Sequence, residues 1–199
     1  MSGAVAGIFA ATGQTCIAGS RLLLQETIHD VFVEKLVAMA KQARLGDPSK
    51  PETQVGPVTT PPQYEKILSY IDIAKAEGCT GVDNKMRIAQ EEVFGPVLAV
   101  IPFTDEQEAI RIGNDVAFGL AAAVWTKDLH RAMLLTDKLK AGTVWVNNYR
   151  ATSFTSPFGG YKRSGIGRES GSEAIKEYLE TKCVWISSAL DVPNPFIRR

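Results

Sequence analysis

Three successive patterns in the second half of the chain set the architecture. Leu120-Ala121-Ala122-Ala123-Val124-Trp125-Thr126 is a short apolar run. It is followed by Asp128 and by Leu129, Ala132, Met133, Leu135 and Leu139 at helical spacing, and then by Gly142 and Thr143-Val144-Trp145-Val146-Asn147. The first run reads as a buried strand. Asp128 reads as a helix cap, Gly142 as the stop, and the β-branched and aromatic residues after it as a second strand. Strand, helix and strand in succession form the repeating unit of a parallel sheet.

The same alternation extends in both directions. Small residues from Ala4 to Ala11 predict a helix stopped near Gly13, then a loop over residues 14–20, then Arg21-Leu22-Leu23-Leu24-Gln25 as a buried strand. Thr27 is placed to cap a helix carrying Ile28, Val31, Phe32, Leu36, Met39 and Ala40 on one face, closed by Gly46-Asp47-Pro48. Thr60 before Pro61 and Pro62 opens another helix, with Tyr64, Ile67, Leu68, Ile71 and Ala74 in period and Gly78 as its end. Residues 97–101 read as a strand, and Thr104 with Gln107 as the capping box of a helix reaching Ile112. Glycines, serines and Pro157 make residues 149–171 a long irregular loop, of the kind that usually carries function. A helix over residues 173–179, a strand over 183–187 and a polar tail with Pro193-Asn194-Pro195 follow. The expected fold is therefore α/β: a largely parallel sheet with helices on both faces, plus a C-terminal strand. One join is awkward. At Gly78-Cys79-Thr80-Gly81-Val82-Asp83 a finished helix meets a turn with no strand after it, so residues are expected to be missing there.

Composition narrows the function. With 199 residues, 45% of them hydrophobic, the chain is long enough to build a core without disulfides or a structural metal. Twenty-two basic residues balance 22 acidic ones, which argues against a nucleic-acid or anionic-membrane surface. No run reaches the ~18 apolar residues of a membrane helix, and the first residues lack the basic flank of a signal peptide. Cys16, Cys79 and Cys183 are odd in number and widely spaced, which fits reduced thiols and a cytoplasmic setting. His29 and His130 show no ligand spacing with any cysteine, so no metal site is expected.

Chemistry centres on Gly13-Gln14-Thr15-Cys16-Ile17-Ala18-Gly19-Ser20-Arg21. Flanking glycines leave room for a substrate to approach the sulfur and free backbone N–H groups to face it, and Arg21 is near enough in sequence to favour a thiolate. By pattern alone, a small buried cysteine at a helix end is the favoured reading, since free cysteines are among the most buried residues. Cys79 and Cys183 lack such surroundings and read as packing residues. Gly165-Ile166-Gly167 is not a dinucleotide fingerprint, because the next glycine, Gly171, falls one place too far and no strand leads in. Lys162 and Arg163 read as turn and interface charges.

The nine residues around Cys16 resemble the catalytic-cysteine signature of the aldehyde dehydrogenase superfamily. Gln90-Glu91-Glu92-Val93-Phe94-Gly95-Pro96-Val97 is similar to that family's nicotinamide-ribose segment, and Pro157-Phe158-Gly159-Gly160-Tyr161-Lys162-Arg163-Ser164-Gly165 to the loop before its oligomerisation strand. Asn114, Gly119, Leu120 and Trp145-Val146-Asn147 extend the match in the family's order.

The resemblance implies that Cys16 attacks a small-molecule aldehyde to give a thiohemiacetal and then a thioester, with NAD or NADP taking the hydride and water releasing the acid. It implies that Glu92 grips the ribose hydroxyls, that Phe94 packs beside the nicotinamide, and that Thr152, Phe154 and Phe158 line the substrate passage. Without it, Glu91 and Glu92 read as surface charge and the phenylalanines as core. It also divides the chain into a catalytic cysteine domain, residues 1–177, and an oligomerisation strand and tail, residues 178–199, through which a homo-oligomer forms.

The family's nucleotide-binding domain, oxyanion asparagine and hydrolytic glutamate have no counterpart here. The pattern is joined near Ala4, so an excised domain or truncated product is expected, and the chain alone is expected to be inactive. A non-enzymatic folding or oligomerising module is the alternative. A CoA-acylating relative is another, although Ile17-Ala18-Gly19-Ser20 resembles the hydrolytic branch more.

Overall fold

Leu22, Leu23 and Leu24 form the centre of the first strand because a run of apolar side chains is stable only where both faces of a strand are covered. In the computed structural model, which describes residues 1–78, 81–188 and 196, this strand is β1 (Arg21–Gln25). It follows α1 (Ser2–Phe9) and precedes α2 (His29–Ala40). Then come α3 (Pro61–Ala76), a single turn α4 (Arg87–Gln90), β2 (Ala99–Phe103) and α5 (Glu106–Asn114). The last part holds β3 (Phe118–Gly119), β4 (Ala121–Val124), α6 (Leu129–Lys138), β5 (Thr143–Val146) and β6 (Tyr161–Lys162).

β1 pairs with β2 and β4 with β5, both parallel, as strand–helix–strand connections require. The two-residue β3 and β6 pair antiparallel. The α/β architecture stands, but among the described residues the sheet is three separate pairs rather than one continuous surface. The core sits where α5 meets β2: Ala89, Ala99, Ile101 and Ile112 are buried together, with Leu23 and Phe103 against them. Ile8 of α1 is fully buried. Arg21 ties β1 to this core by donating to the Asn84 side chain at 2.8 Å and to the carbonyls of Ile112 at 3.0 Å and Gly113 at 2.9 Å.

Several boundaries differ from expectation. The first helix stops at Phe9, because Ala11, Thr12 and Gly13 take left-handed backbone conformations (φ 52°, 56° and 68°) that turn the chain toward the Cys16 loop. Thr27 lies inside a 3₁₀ turn (Glu26–Ile28), so α2 begins one residue later than its sequence suggests, with Ile28 at the cap position. The strand expected over 97–101 is shifted to Ala99–Phe103, the register fixed by pairing Arg21 with Ala99. The cap of α5 is Asp105, whose carboxylate accepts from the Glu108 N–H at 2.9 Å, while Glu108 reaches back to Thr104. The cap therefore sits one residue later than read, and the return bond from Glu108 goes to the residue before the cap rather than to the cap's own N–H. Thr60 and Asp128 stand at the expected helix starts.

Residues 173–179 are corrected more substantially. They form a 3₁₀ segment, Ser172–Tyr178, rather than an α-helix. The strand expected over 183–187 is absent among the described residues: this segment joins no ladder, and Trp185 and Ile186 are 92% and 90% exposed. A strand needs a neighbouring strand for its backbone, and among the described residues none pairs with this segment. For the same reason Cys183 is exposed rather than a packing residue. Cys79, the awkward join at Cys79-Thr80 and the Pro193-Asn194-Pro195 tail lie outside the described residues. No helix among the described residues is long and apolar enough to cross a membrane.

Candidate active site

Cys16 occupies a tight turn closed by the Ala18 N–H donating to the Thr15 carbonyl at 2.9 Å. Its side chain is a free, exposed thiol. Three elements hold the turn. The Gly19 N–H donates to the Gly7 carbonyl of α1 at 2.9 Å. Tyr149 is wedged between these glycines: a β-carbon on Gly7 would lie 3.3 Å from its ring and one on Gly19 3.1 Å from its hydroxyl. That hydroxyl donates to the Ile17 carbonyl, and burial pushes the phenol pKa up to about 12. Its ring stands 5.2 Å from buried Trp145, whose indole N–H donates to the Ala151 carbonyl at 2.8 Å. Among the described residues no acceptor engages the Cys16 backbone N–H.

The Glu92 segment approaches the same turn from the other side. Gly13 meets Gly95 so closely that a β-carbon on Gly13 would fall 2.1 Å from the Gly95 carbonyl oxygen. Helix α3 supports this segment. Gln63 donates to the carbonyls of Val93 and Phe94, both at 2.9 Å, and Lys66 to the Glu92 carbonyl at 2.9 Å. These contacts hold Phe94 in a left-handed conformation, φ 59°, which costs a bulky residue about 1–2 kcal/mol. Tyr70 and Arg87 grip Glu91 by hydrogen bonds that, with Arg87 first, lower its carboxyl pKa to about 2.

Cys16 and Glu92 thus line one cavity of about 800 Å³. Glu92 is exposed, and its carboxylate has no hydrogen bond or ion pair among the described residues. The remaining expected site residues are not brought to this cavity. Phe94 is half-buried, Thr152 is exposed, and Phe154 is 87% exposed. Phe158 bonds Glu169 through its backbone, N–H to carbonyl at 2.7 Å and carbonyl from N–H at 2.8 Å. Arg21 does not act on the thiol as expected. Its donors are committed to Asn84, Ile112 and Gly113 and its charge partner is Asp115, while burial pulls its own pKa down. Gln63, Lys66 and Tyr149 were not evident in the sequence, because each acts on a carbonyl far along the chain and no local pattern marks such a contact.

The sequence matches the aldehyde dehydrogenase family over residues 1–184. The chain belongs to that family. It is 42% identical to a betaine aldehyde dehydrogenase of Mesorhizobium japonicum over 221 residues, covering 98% of this chain and 45% of that protein. An aldehyde dehydrogenase of Emericella nidulans is 43% identical over 89% of this chain and 40% of its own length. The crystal structure of a Staphylococcus aureus betaine aldehyde dehydrogenase with NAD⁺ and a BME-modified cysteine superposes with a TM-score of 0.93 at 40% identity, covering 99% of this chain and 45% of that one. The chain therefore spans a little under half the length of these family members. The Mesorhizobium alignment runs over 221 positions, 22 more than this chain has residues, so at least 22 positions of that relative face no residue here.

Proposed function

We propose that this chain is the cysteine-bearing portion of an NAD(P)-dependent aldehyde dehydrogenase and that Cys16 is its nucleophile. The observation that carries the reading is an exposed thiol in a glycine-flanked turn, on the same cavity as an unpaired carboxylate, Glu92. The Cys16 sulfur bonds to the aldehyde carbon, and the developing oxyanion accepts from the free Cys16 backbone N–H. After the adduct is oxidised, Cys16 holds the acyl group as a thioester until water releases the acid and the thiol.

Bound NAD(P)⁺ supplies the hydride acceptor for that oxidation. The residues present fit its nicotinamide end only. Glu92 would accept from two ribose hydroxyls and Phe94 would pack beside the ring, and the backbone of both residues is held by α3. The rest of the dinucleotide falls to a nucleotide-binding domain outside this chain, so the chain alone does not turn over. Thr152, Phe154 and Phe158 border the substrate passage once that domain is present. Residues 178–199 serve as the segment through which copies associate, a role supported by the exposure of Val184, Trp185 and Ile186.

The test separates accessibility from chemistry. Cys183 is also exposed, so an alkylating reagent labels both thiols. An aldehyde present in excess should slow labelling of Cys16 and leave Cys183 unchanged. Betaine aldehyde goes first in the panel, since similar proteins carry that name. Equal protection of both thiols, or of neither, removes Cys16 as the nucleophile. NADH formation by the chain alone removes the claim that a second portion is needed.

A further inference from the structure

Arg150, near the start of the long loop, has no part in the chemistry above, yet its backbone is fixed on both sides. Tyr149 before it donates to the Ile17 carbonyl, and the Ala151 carbonyl after it accepts from the Trp145 indole N–H at 2.8 Å. Asn147 ties the approach to the loop to Thr126, its carboxamide accepting at 2.9 Å and donating at 2.7 Å. Between these anchors Arg150 is held at φ 62°, a left-handed conformation that a long side chain keeps only where its surroundings impose it.

The side chain reaches the turn that carries the thiol. Its Nη2 donates to the Thr15 hydroxyl, one residue before Cys16, at 3.4 Å, a long bond that leaves the other guanidinium donors open. Among the described residues the Arg150 side chain makes no other hydrogen bond and no ion pair. Neither residues 13–20 nor residues 149–156 include a carboxylate. The half-buried cation acts on its neighbour: burial pushes the Tyr149 phenol pKa up, and the Arg150 charge pulls against that push. A guanidinium partly removed from water and without a counter-charge favours an anion brought by a ligand.

The reaction supplies the direction. Neither Thr15 nor Arg150 lines the Glu92 cavity, so the guanidinium stands on a different flank of the turn from the nicotinamide end. The adduct carbon on Cys16 carries the sulfur, the oxyanion, the departing hydrogen and the remainder of the aldehyde. The hydrogen must face the nicotinamide end at Glu92, so the remainder points away from it, and Arg150 is a charged group on that flank. Consecutive α-carbons are about 3.8 Å apart, so a short chain bridges the thiol and a group held by the guanidinium on Thr15. We propose that Arg150 selects the substrate: an aldehyde whose far end bears a carboxylate, gripped by the guanidinium through paired N–H···O bonds. An aldehyde with a fixed cation, such as betaine aldehyde, meets like charge there, although the relatives bear that name. The choice of substrate rests on Cys16 as the nucleophile, whereas recognition of the carboxylate does not.

The probes are 4-oxobutanoate, which carries a terminal carboxylate, its neutral methyl ester, and betaine aldehyde, each present while Cys16 of the intact chain is alkylated. 4-Oxobutanoate should protect Cys16 at a concentration about tenfold below that of the ester, with betaine aldehyde the weakest, and the gap between acid and ester should shrink in high salt. Arg150→Gln should close the gap and Arg150→Lys keep part of it, while an unchanged Trp145 indole N–H resonance shows that the loop is still folded. In a Cys16→Ala chain 4-oxobutanoate should still shift the Arg150 side-chain N–H resonance, and the ester should not. Equal protection by acid and ester with a silent Arg150 resonance overturns the proposal and leaves Cys16 as the nucleophile. An Arg150 shift without protection of Cys16 supports the carboxylate site and removes the nucleophile. Silence in both readouts overturns both, and a gap that survives Arg150→Gln assigns the selection to other residues and overturns the proposal as well.

Discussion

Gly13 and Tyr149 do more for the candidate site than its charged residues, because each fixes backbone that the site depends on. Gly13 sits at φ 68° with the Gly95 carbonyl against its α-carbon, so Gly13→Ala meets both backbone strain and a 2.1 Å clash. We expect a loss of at least about 2 kcal/mol in urea unfolding, against no more than ~0.5 kcal/mol for Gly81→Ala, where nothing lies within 4 Å. Tyr149→Phe removes a hydrogen bond to Ile17 and should cost about 1 kcal/mol near neutral pH. The sign of the pH effect follows from the raised phenol pKa. The neutral phenol is the form the fold stabilises, so its contribution is complete below the ordinary tyrosine value near pH 10 and is lost as pH rises toward about 12. The stability gap between the native chain and Tyr149→Phe should therefore close across that interval. A gap that stays constant through it would show that the hydroxyl is not buried on Ile17.

At the level of elements, α3 acts as the clamp on the Glu92 segment, and most of that clamp is invisible in the periodicity that predicts the helix. The period of Tyr64, Ile67, Leu68, Ile71 and Ala74 sets which face packs inward. It says nothing about Gln63 and Lys66 reaching carbonyls some thirty residues away. Glu91 gives this clamp a measurable handle. Its depressed carboxyl pKa, about 2, means the charged form is favoured by Arg87 and Tyr70 in the folded chain. That contribution is present above the ordinary glutamate value near pH 4.5 and disappears as pH falls toward 2. The Glu91 carboxyl carbon should titrate near pH 2 by NMR, while in an Arg87→Ala chain its midpoint should move up toward the ordinary value. A midpoint already at the ordinary value in the native chain would show that the Arg87–Glu91–Tyr70 cluster does not hold in solution. The strands tell the complementary story. β1, β4 and β5 were legible because apolar runs bounded by turn residues have few other uses. The start of β2 was not, since its register comes from β1 rather than from its own residues.

At the scale of the whole molecule, exposed apolar surface is the dominant feature. Tyr178, Leu179, Val184, Trp185 and Ile186 lie on the surface. Contiguous exposed apolar groups of this kind drive association. Light scattering should report an average mass above the monomer at micromolar concentration, reduced by Trp185→Lys if the C-terminal segment forms a defined interface. An unchanged mass for the Trp185→Lys chain would assign the association to other surfaces.

The sequence by itself determined the family, the order of strands and helices, the cap at Asp128, the proline start at Thr60 and the position of Cys16, because each rests on residues within a few places of one another. Only the tertiary structure decided that Arg21 serves the core rather than the thiol, that Gly13 meets Gly95, and that Tyr149 braces the Cys16 turn. It also decided that residues 183–187 form no strand. These outcomes depend on which distant backbone groups are left to be paired once the chain has folded, and local preference does not record that.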